Sequence, residues 1–278
     1  MTNLNKILLI DVGGTNIDLY EYLPYTKICK FINQVNTRNI DINQWVNSLG
    51  IKIYSDYQKI ILGLPGEVNT KDNKVYCPPL GKTIKIKSSK EKGVEIVNDM
   101  FIQPFLIDFY KSKKNNHKII LNSGTSVGLC VVDSNFFVNY ELSYIKSFEF
   151  AHEFLHKTGK SQPLYDLISQ NSGFQCKNFC SIYSVGGFAA AHGIKVEITK
   201  EEMFRINKTE FEEYIEDGKM DTTITSMWIS SLERDLKYFL SKKYTFSSKP
   251  TAILRGGLIA ALSSSSQKKF VNSFNVDI

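Results

Sequence analysis

The sequence predicts an α/β protein of two domains. Three observations carry that expectation. Short, wholly apolar runs of strand length stop at glycine-bearing turns. A strand, a glycine turn and a second strand occur once in each half of the chain, first around Gly13-Gly14 and again around Gly124. Apolar residues at helical spacing follow the second unit, with Ile224, Trp228, Leu232, Leu236 and Phe239 or Leu240 on one stripe. At 278 residues the chain can bury a sizeable core in two moderate domains.

Taken in order, Ile7-Leu8-Leu9-Ile10 reads as a buried strand. Asp11-Val12-Gly13-Gly14-Thr15-Asn16 turns the chain back into Ile17-Asp18-Leu19-Tyr20, which alternates as a second strand. Lys59-Ile60-Ile61-Leu62-Gly63-Leu64 is another, ended by the turn signal Pro65-Gly66. Lys85 and Lys87 alternate with Ile84 and Ile86, the pattern of a solvated strand face at a sheet edge. Val94-Glu95-Ile96-Val97 is a further strand, closed by Asn98-Asp99. Ile102, Phe105, Leu106 and Phe109 then fall at helical spacing, with Pro104 tolerable in a first turn. The polar, charged residues 111–118 are the candidate hinge and place the domains at 1–112 and 113–278.

The second half opens with strands at residues 118–121 and 127–132, joined by Asn122-Ser123-Gly124-Thr125-Ser126. Thr199-Lys200-Glu201-Glu202 and Thr209-Glu210-Phe211-Glu212 both carry the capping-box pattern and predict helix starts. The stripe through Trp228 predicts a core-facing helix. Ala252-Ile253-Leu254 is a buried strand, Gly256-Gly257 its turn, and residues 258–262 open a helix.

Composition bounds the function. At 42% hydrophobic and 22% charged the chain is ordinary for a soluble globular protein, and no apolar run reaches the length of a membrane span. The first residues lack the apolar region of a signal peptide, so a cytoplasmic location is expected. The net charge of +6 suits an anionic substrate such as ATP, and solvated lysines explain it equally well. The lysine clusters lack aromatic interleaving, so no nucleic-acid partner is expected, and no membrane. Five cysteines, an odd number, argue against a disulfide framework.

Glycine adopts backbone angles that other residues avoid and lets a phosphate reach main-chain N–H groups. Thr15, Asn16, Thr125 and Ser126 add side-chain donors, and Asp11 at the mouth of the first strand can hold magnesium directly or through its waters. A dinucleotide fingerprint or Walker-type loop opens into a helix. Both turns here open into strands, and neither ends in Gly-Lys-Ser/Thr, so no helix dipole is involved. Singly, each reads equally as a tight hairpin. Their order, with Asn98-Asp99 between them and Gly256-Gly257 after them, predicts an ATP-dependent phosphotransferase. Transfer to a hydroxyl needs positioning, charge neutralisation and a proton acceptor. Asp99, at a strand's carboxyl end, is the candidate base. Both Asn98 and Asp99 are also good helix caps, and a cap role for Asn98 can coexist with that assignment.

This pattern resembles the sugar-kinase branch of the actin/hexokinase-like ATPase superfamily, and within it bacterial-type glucokinases and ROK-family kinases. Asp11, Gly13, Gly14, Thr15 and Asn16 are similar to the phosphate-1 loop; Gly124, Thr125 and Ser126 to phosphate-2; Gly256 and Gly257 to the adenosine motif. Leu62-Gly63-Leu64-Pro65-Gly66 resembles a proline-glycine loop near the sugar, and Ile96-Val97-Asn98-Asp99 the family's Asn-Asp pair. Glu149-Phe150-Ala151-His152 resembles its Glu-Gly-Gly-His loop. The resemblance implies a two-domain actin-like ATPase (ribonuclease H-like) fold with an interdomain cleft. It also implies ATP and Mg2+ as cofactors and a glucokinase-like transfer of the γ-phosphoryl group to a hexose hydroxyl, in carbohydrate metabolism. Asp99 would be the base, and Pro65, Gly66, Asn98, Asp99, Glu149 and His152 would line the sugar. A sugar and ATP are the expected partners, and a homodimer is one expected assembly. The chain departs from the pattern in places. Cys180 stands where a sugar-binding glutamate is usual, ahead of Ser184-Val185-Gly186-Gly187-Phe188; Glu67 stands where proline is common; and the chain ends at Ile278, short of the family's last helix.

Other readings remain open. A non-catalytic sugar sensor could use the same fold, although ten residues before Asp11 leave no room for a helix-turn-helix. His152-Glu153-Phe154-Leu155-His156 matches the zinc-peptidase pattern His-Glu-x-x-His, but Gln162 replaces the third histidine of the longer version. His152, His156, Cys176 and Cys180 could instead form a structural zinc site, or the cysteines could be buried thiols.

Overall fold

A computed structural model describes residues 6–37, 40–48, 57–69, 74–77, 80–85, 94–106, 117–132, 138–141, 159–175, 179–200, 202–243, 245 and 250–262. The chain forms two compact units, Met1–Lys114 and Asn115–Ile278. Both mix sheets and helices.

In the first unit the elements run β1 (Ile7–Val12), β2 (Asn16–Leu23), β3 (Ile28–Asn36), α1 (Ile42–Ser48), β4 (Lys59–Leu64), β5 (Glu67–Asn69), β6 (Lys74–Cys77), β7 (Lys82–Lys85) and β8 (Val94–Asn98), then a 3-10 turn (Asp99–Phe101) and α2 (Gln103–Leu106). The main sheet has the order β3-β2-β1-β4-β8. Its first three strands are antiparallel neighbours, while β1, β4 and β8 are parallel. The uninterrupted apolar run of β1 follows from burial on both faces. Leu8 and Ile10 pack with Ile60, Leu62 and α1's Ile42 and Val46 on one side, and Leu9 meets Tyr22 and Ile102 on the other. The second sheet, β5-β6-β7, is antiparallel, and its outer strand β7 buries Ile84 while Lys82 and Lys85 stay exposed.

β3 and α1 are not expected from the sequence. β3 has little apolar alternation because it is an edge strand with Ile28, Phe31 and Ile32 exposed. α1 is signalled by Asp41, whose carboxylate accepts from the Asn43 and Gln44 N–H groups at 2.9 and 3.1 Å.

The second unit runs β9 (Lys118–Ser123), β10 (Val127–Val132), β11 (Val138–Glu141), α3 (Gln162–Ser172), α4 (Phe179–Ile182), α5 (Val185–Ala191), β12 (Val196–Ile198), β13 (Phe204–Ile206), α6 (Lys208–Glu216), α7 (Thr222–Lys243), β14 (Thr251–Arg255) and α8 (Gly257–Ala261). Its sheet order is β11-β10-β9-β14, with β9 and β10 antiparallel and β14 parallel to β9. A hairpin with a parallel third strand thus occurs in each unit, as β2-β1-β4 and as β10-β9-β14. The predicted stripe lies on α7, where Trp228, Leu232, Leu236, Phe239 and Leu240 are buried with Phe179, Tyr183, Phe188 and Phe204. The Trp228 indole N–H donates to the Ile182 carbonyl at 3.2 Å.

Two capping signals need correction. Thr199 does not start a helix. Its hydroxyl accepts from the Met203 N–H at 3.2 Å, and with Glu202 at φ +59 it closes the β12–β13 hairpin. The apolar residues that flank it pair across strands, and this overrides the local cap signal. The second signal does mark a helix, α6, but the cap is Asn207, which accepts from the Thr209 N–H.

Candidate active site

In the first unit the carboxyl ends of the three parallel strands carry Asp11, Leu64-Pro65-Gly66 and Asn98-Asp99. Open α/β sheets bind ligands outside such strand ends. Gly63 pairs with Asp11 on one side and Val97 on the other, so β4 separates Asp11 from Asp99. Two strand spacings put the ends of β1 and β8 about 10 Å apart.

Asn98 caps the turn that begins at Asp99. Its side-chain oxygen accepts from the Met100 N–H at 2.7 Å, and its amide donates to the Gly66 carbonyl at 3.2 Å. The cap role foreseen for Asn98 is therefore real, and the same amide ties the Asn-Asp pair to the Pro65-Gly66 loop. Gly66 is required by packing, because a Cβ there would collide with the Tyr76 carbonyl on β6. Gly63 plays the same part for the base turn. A Cβ on it would sit 2.6 Å from Ile102 Cδ1 and 3.0 Å from Asp99 Cα.

The Asp99 carboxyl group is half-buried and accepts from the Met100 N–H at 3.1 Å. Its charge is felt by Cys77 on β6. Burial first, and the Asp99 charge second, push that thiol up to about 12. Sequence reasoning missed Gln103. This buried amide lies one helical turn after Asp99 and donates to Asp11 Oδ2 at 2.9 Å. One short helical segment therefore presents the candidate base and also holds the candidate magnesium carboxylate.

The β1–β2 turn closes with Gly13 N–H donating to the Asn16 carbonyl at 2.8 Å. Thr37, also missed, secures it from beyond β3. Its hydroxyl donates to the Gly14 carbonyl at 3.1 Å and its N–H to the Thr15 carbonyl at 2.9 Å.

In the second unit the β9–β10 turn and the start of α8 lie against each other. Gly124 N–H donates to the Ser126 carbonyl at 2.9 Å. Gly256 has φ +102, and a Cβ there would strike the Ser123 carbonyl, so only glycine fits. Left-handed backbone is thus needed at Gly256 and not at Gly13, Gly14 or Gly124. Gly124 and Gly257 differ in kind. A Cβ on Gly124 would meet nothing nearer than the Ser126 carbonyl at 4.0 Å, and one on Gly257 nothing within 4 Å among the described residues. Neither is held to glycine by the described residues around it. Thr125 and Ser126 are half-buried beside Gly124. Arg255, unremarked in the sequence, ends β14 opposite Asn122.

Ser184 caps α5 by accepting from the Gly187 N–H at 3.2 Å. Cys180 is buried, with its thiol donating to the Val127 carbonyl at 3.6 Å. Glu149, His152, Glu153, His156 and Cys176 lie outside the described residues. Among the described residues no three His, Cys, Asp or Glu side chains gather to hold a metal ion. Asp11 fits Mg2+ in another way, since that ion takes one or two carboxylates together with phosphate oxygens and water. No helix among the described residues is long and apolar enough to cross a membrane.

No protein-family model and no curated protein sequence matches the chain. Solved structures do match. A glucokinase from Balamuthia mandrillaris in complex with glucose has a TM-score of 0.59 at 12% identity, over 98% of this chain and 84% of that one. A ROK family protein from Streptococcus pneumoniae TIGR4 in complex with sucrose has a TM-score of 0.56 at 13% identity, over 97% and 86%. A ROK family glucokinase from Streptomyces griseus in complex with glucose and AMPPNP has a TM-score of 0.51 at 14% identity, over 98% and 90%. The chain has the fold of the ROK-family sugar kinases and glucokinases.

Proposed function

We propose that this chain is an ATP- and Mg2+-dependent sugar kinase that moves the γ-phosphoryl group of ATP to a hydroxyl of a hexose, in the cytoplasm. The observation that carries the proposal is the pair Gly124 and Gly257. No described residue restricts either position to glycine, and the β9–β10 turn with Gly124 adjoins the start of α8, where Gly257 lies, at one end of the second unit's sheet. Glycine there keeps the way to main-chain N–H groups open, as phosphate binding asks. Neighbours of the same fold bound to glucose, sucrose and an ATP analogue support the reading.

On this reading Gly13, Gly14, Thr15 and Asn16 hold phosphate. Gly124, Thr125, Ser126, Gly256 and Gly257 hold the nucleotide. Asp11, steadied by Gln103, holds Mg2+, which when bound neutralises phosphate charge. Pro65, Gly66 and Asn98 shape the sugar side, joined by Glu149 and His152. Asp99 accepts the hydroxyl proton as the sugar oxygen forms its bond to phosphorus and the bond to ADP breaks.

The second reading is a sugar sensor without turnover. Cys180, buried against Val127, offers no carboxylate to a sugar hydroxyl, which leaves the choice of sugar open in either reading. A coupled ADP-release assay over a panel of sugars separates the two. Sugar-stimulated release supports the kinase, and sugar binding without release supports the sensor.

A further inference from the structure

The second unit buries one carboxylate that the proposed chemistry does not use. Asp235 on α7 is 1% exposed. It accepts from Ser161 Oγ at 2.6 Å, from the Tyr165 hydroxyl at 2.7 Å and from the Tyr183 hydroxyl. Ser161 stands at the N-cap of α3, yet its hydroxyl goes to Asp235 and makes no cap bond. Burial raises the pKa of both Asp235 and Tyr183, and the three hydroxyls pull that of Asp235 back down. A buried acid of this kind weakens a core unless every lone pair is satisfied, so its place calls for a reason.

The reason lies at the other end of Tyr183. This ring is fully buried, packed between Phe179 and Trp228 at centroid distances of 4.7 and 5.8 Å. Its main-chain carbonyl accepts from the buried Ser123 hydroxyl at 3.1 Å. Two residues on, the Val185 N–H donates to the Gly124 carbonyl at 2.9 Å. The segment from Tyr183 to Val185 thus holds the β9–β10 turn at two successive residues. The Ser123 carbonyl is in turn the surface against which Gly256 packs.

We propose that Asp235 is a positioning residue for nucleotide binding, acting through Tyr183 to fix the height and tilt of the Ser123–Gly124 turn. This rests on the phosphate role proposed for that turn. The Asp235–Tyr183 bond clamps the ring at its far end, and the ring carries the backbone that grips the turn. Ser161 shares the same carboxylate without touching the turn and is the natural control.

The test is calorimetric titration of the full chain with Mg-ATP, with thermal melting of each variant. Tyr183→Phe keeps the ring and removes one hydrogen bond to a charged group; it should raise the ATP Kd about tenfold and leave sugar affinity unchanged. Ser161→Ala should lower Tm to a similar degree and leave the ATP Kd within about twofold. Ser123→Ala, which removes one of the two bonds to the turn without touching Asp235, should weaken ATP in the same direction as Tyr183→Phe, and it serves if that variant does not fold. If wild type binds ATP and Tyr183→Phe and Ser123→Ala bind it equally well, or if Ser161→Ala loses as much affinity as they do, the positioning role is wrong while the kinase reading stands. A wild type that binds no ATP overturns both.

Discussion

Replacing Gly124 with alanine separates a phosphate-binding turn from an ordinary hairpin. The turn's φ at this residue is not left-handed, and the added methyl comes no closer than 4.0 Å to the Ser126 carbonyl. Among the described residues the methyl therefore meets no steric cost. A glycine-to-alanine change in a permitted conformation stabilises by about 0.4–1 kcal/mol through the unfolded chain. For a chain of this length that is a rise of about 1–4 °C in Tm. Nucleotide binding should move the other way, because the methyl stands in the approach to the turn's N–H groups. Losing one charge-assisted hydrogen bond costs about 1.5–3 kcal/mol, or roughly ten- to a hundredfold in Kd. Gly256→Ala is the internal control. Its φ of +102 and the Ser123 carbonyl in its path predict a loss of stability outright. Melting curves and Mg-ATP titration of both variants read the outcome. An unchanged Kd in a stable Gly124→Ala protein would mean that the turn is only a turn.

Two further outcomes follow from the first unit. Gly63→Ala drives a methyl to 3.0 Å from Asp99 Cα and should shift the base turn by a few tenths of an ångström; turnover should fall by about tenfold or more, with sugar affinity less affected, in steady-state kinetics. The Cys77 thiol, raised from 9.0 to about 12, stays neutral in the fold while the unfolded thiol ionises near 9.0. Its contribution is full below pH 9.0 and lost as pH rises towards 12, a difference of up to about 4 kcal/mol. Denaturant titrations across that window should show a smaller decline for Cys77→Ala than for wild type.

Much of the fold was legible because its signals are local. Apolar runs such as residues 7–10 are buried on both sides of a sheet and need no polar alternation. The stripe through Trp228 has only one way to bury itself. The Asn98-Asp99 pair stands at a strand end that the pattern of residues 94–97 already marked. What stayed hidden depends on partners distant in sequence. Thr199 looked like a cap because its hydroxyl does satisfy a backbone N–H, but the flanking strands decide which one. Edge strand β3 has one partner and exposed apolar residues, so its periodicity is weak. Gln103 and Thr37 are ordinary polar residues in sequence, and only the fold brings them to Asp11 and to the Gly14–Thr15 carbonyls. The glycines show the same divide. Gly256 is fixed by backbone angle, Gly63 and Gly66 by neighbours, and Gly124 and Gly257 by none of the described residues around them.

The most direct test of a sugar kinase is ADP release with and without sugar, comparing wild type with Asp99→Ala. Sugar should stimulate release by the wild-type protein, and the substitution should lower turnover by about 10²–10⁴-fold while ATP still binds. ADP release that ignores sugar, or a variant that turns over at the wild-type rate, would contradict the account.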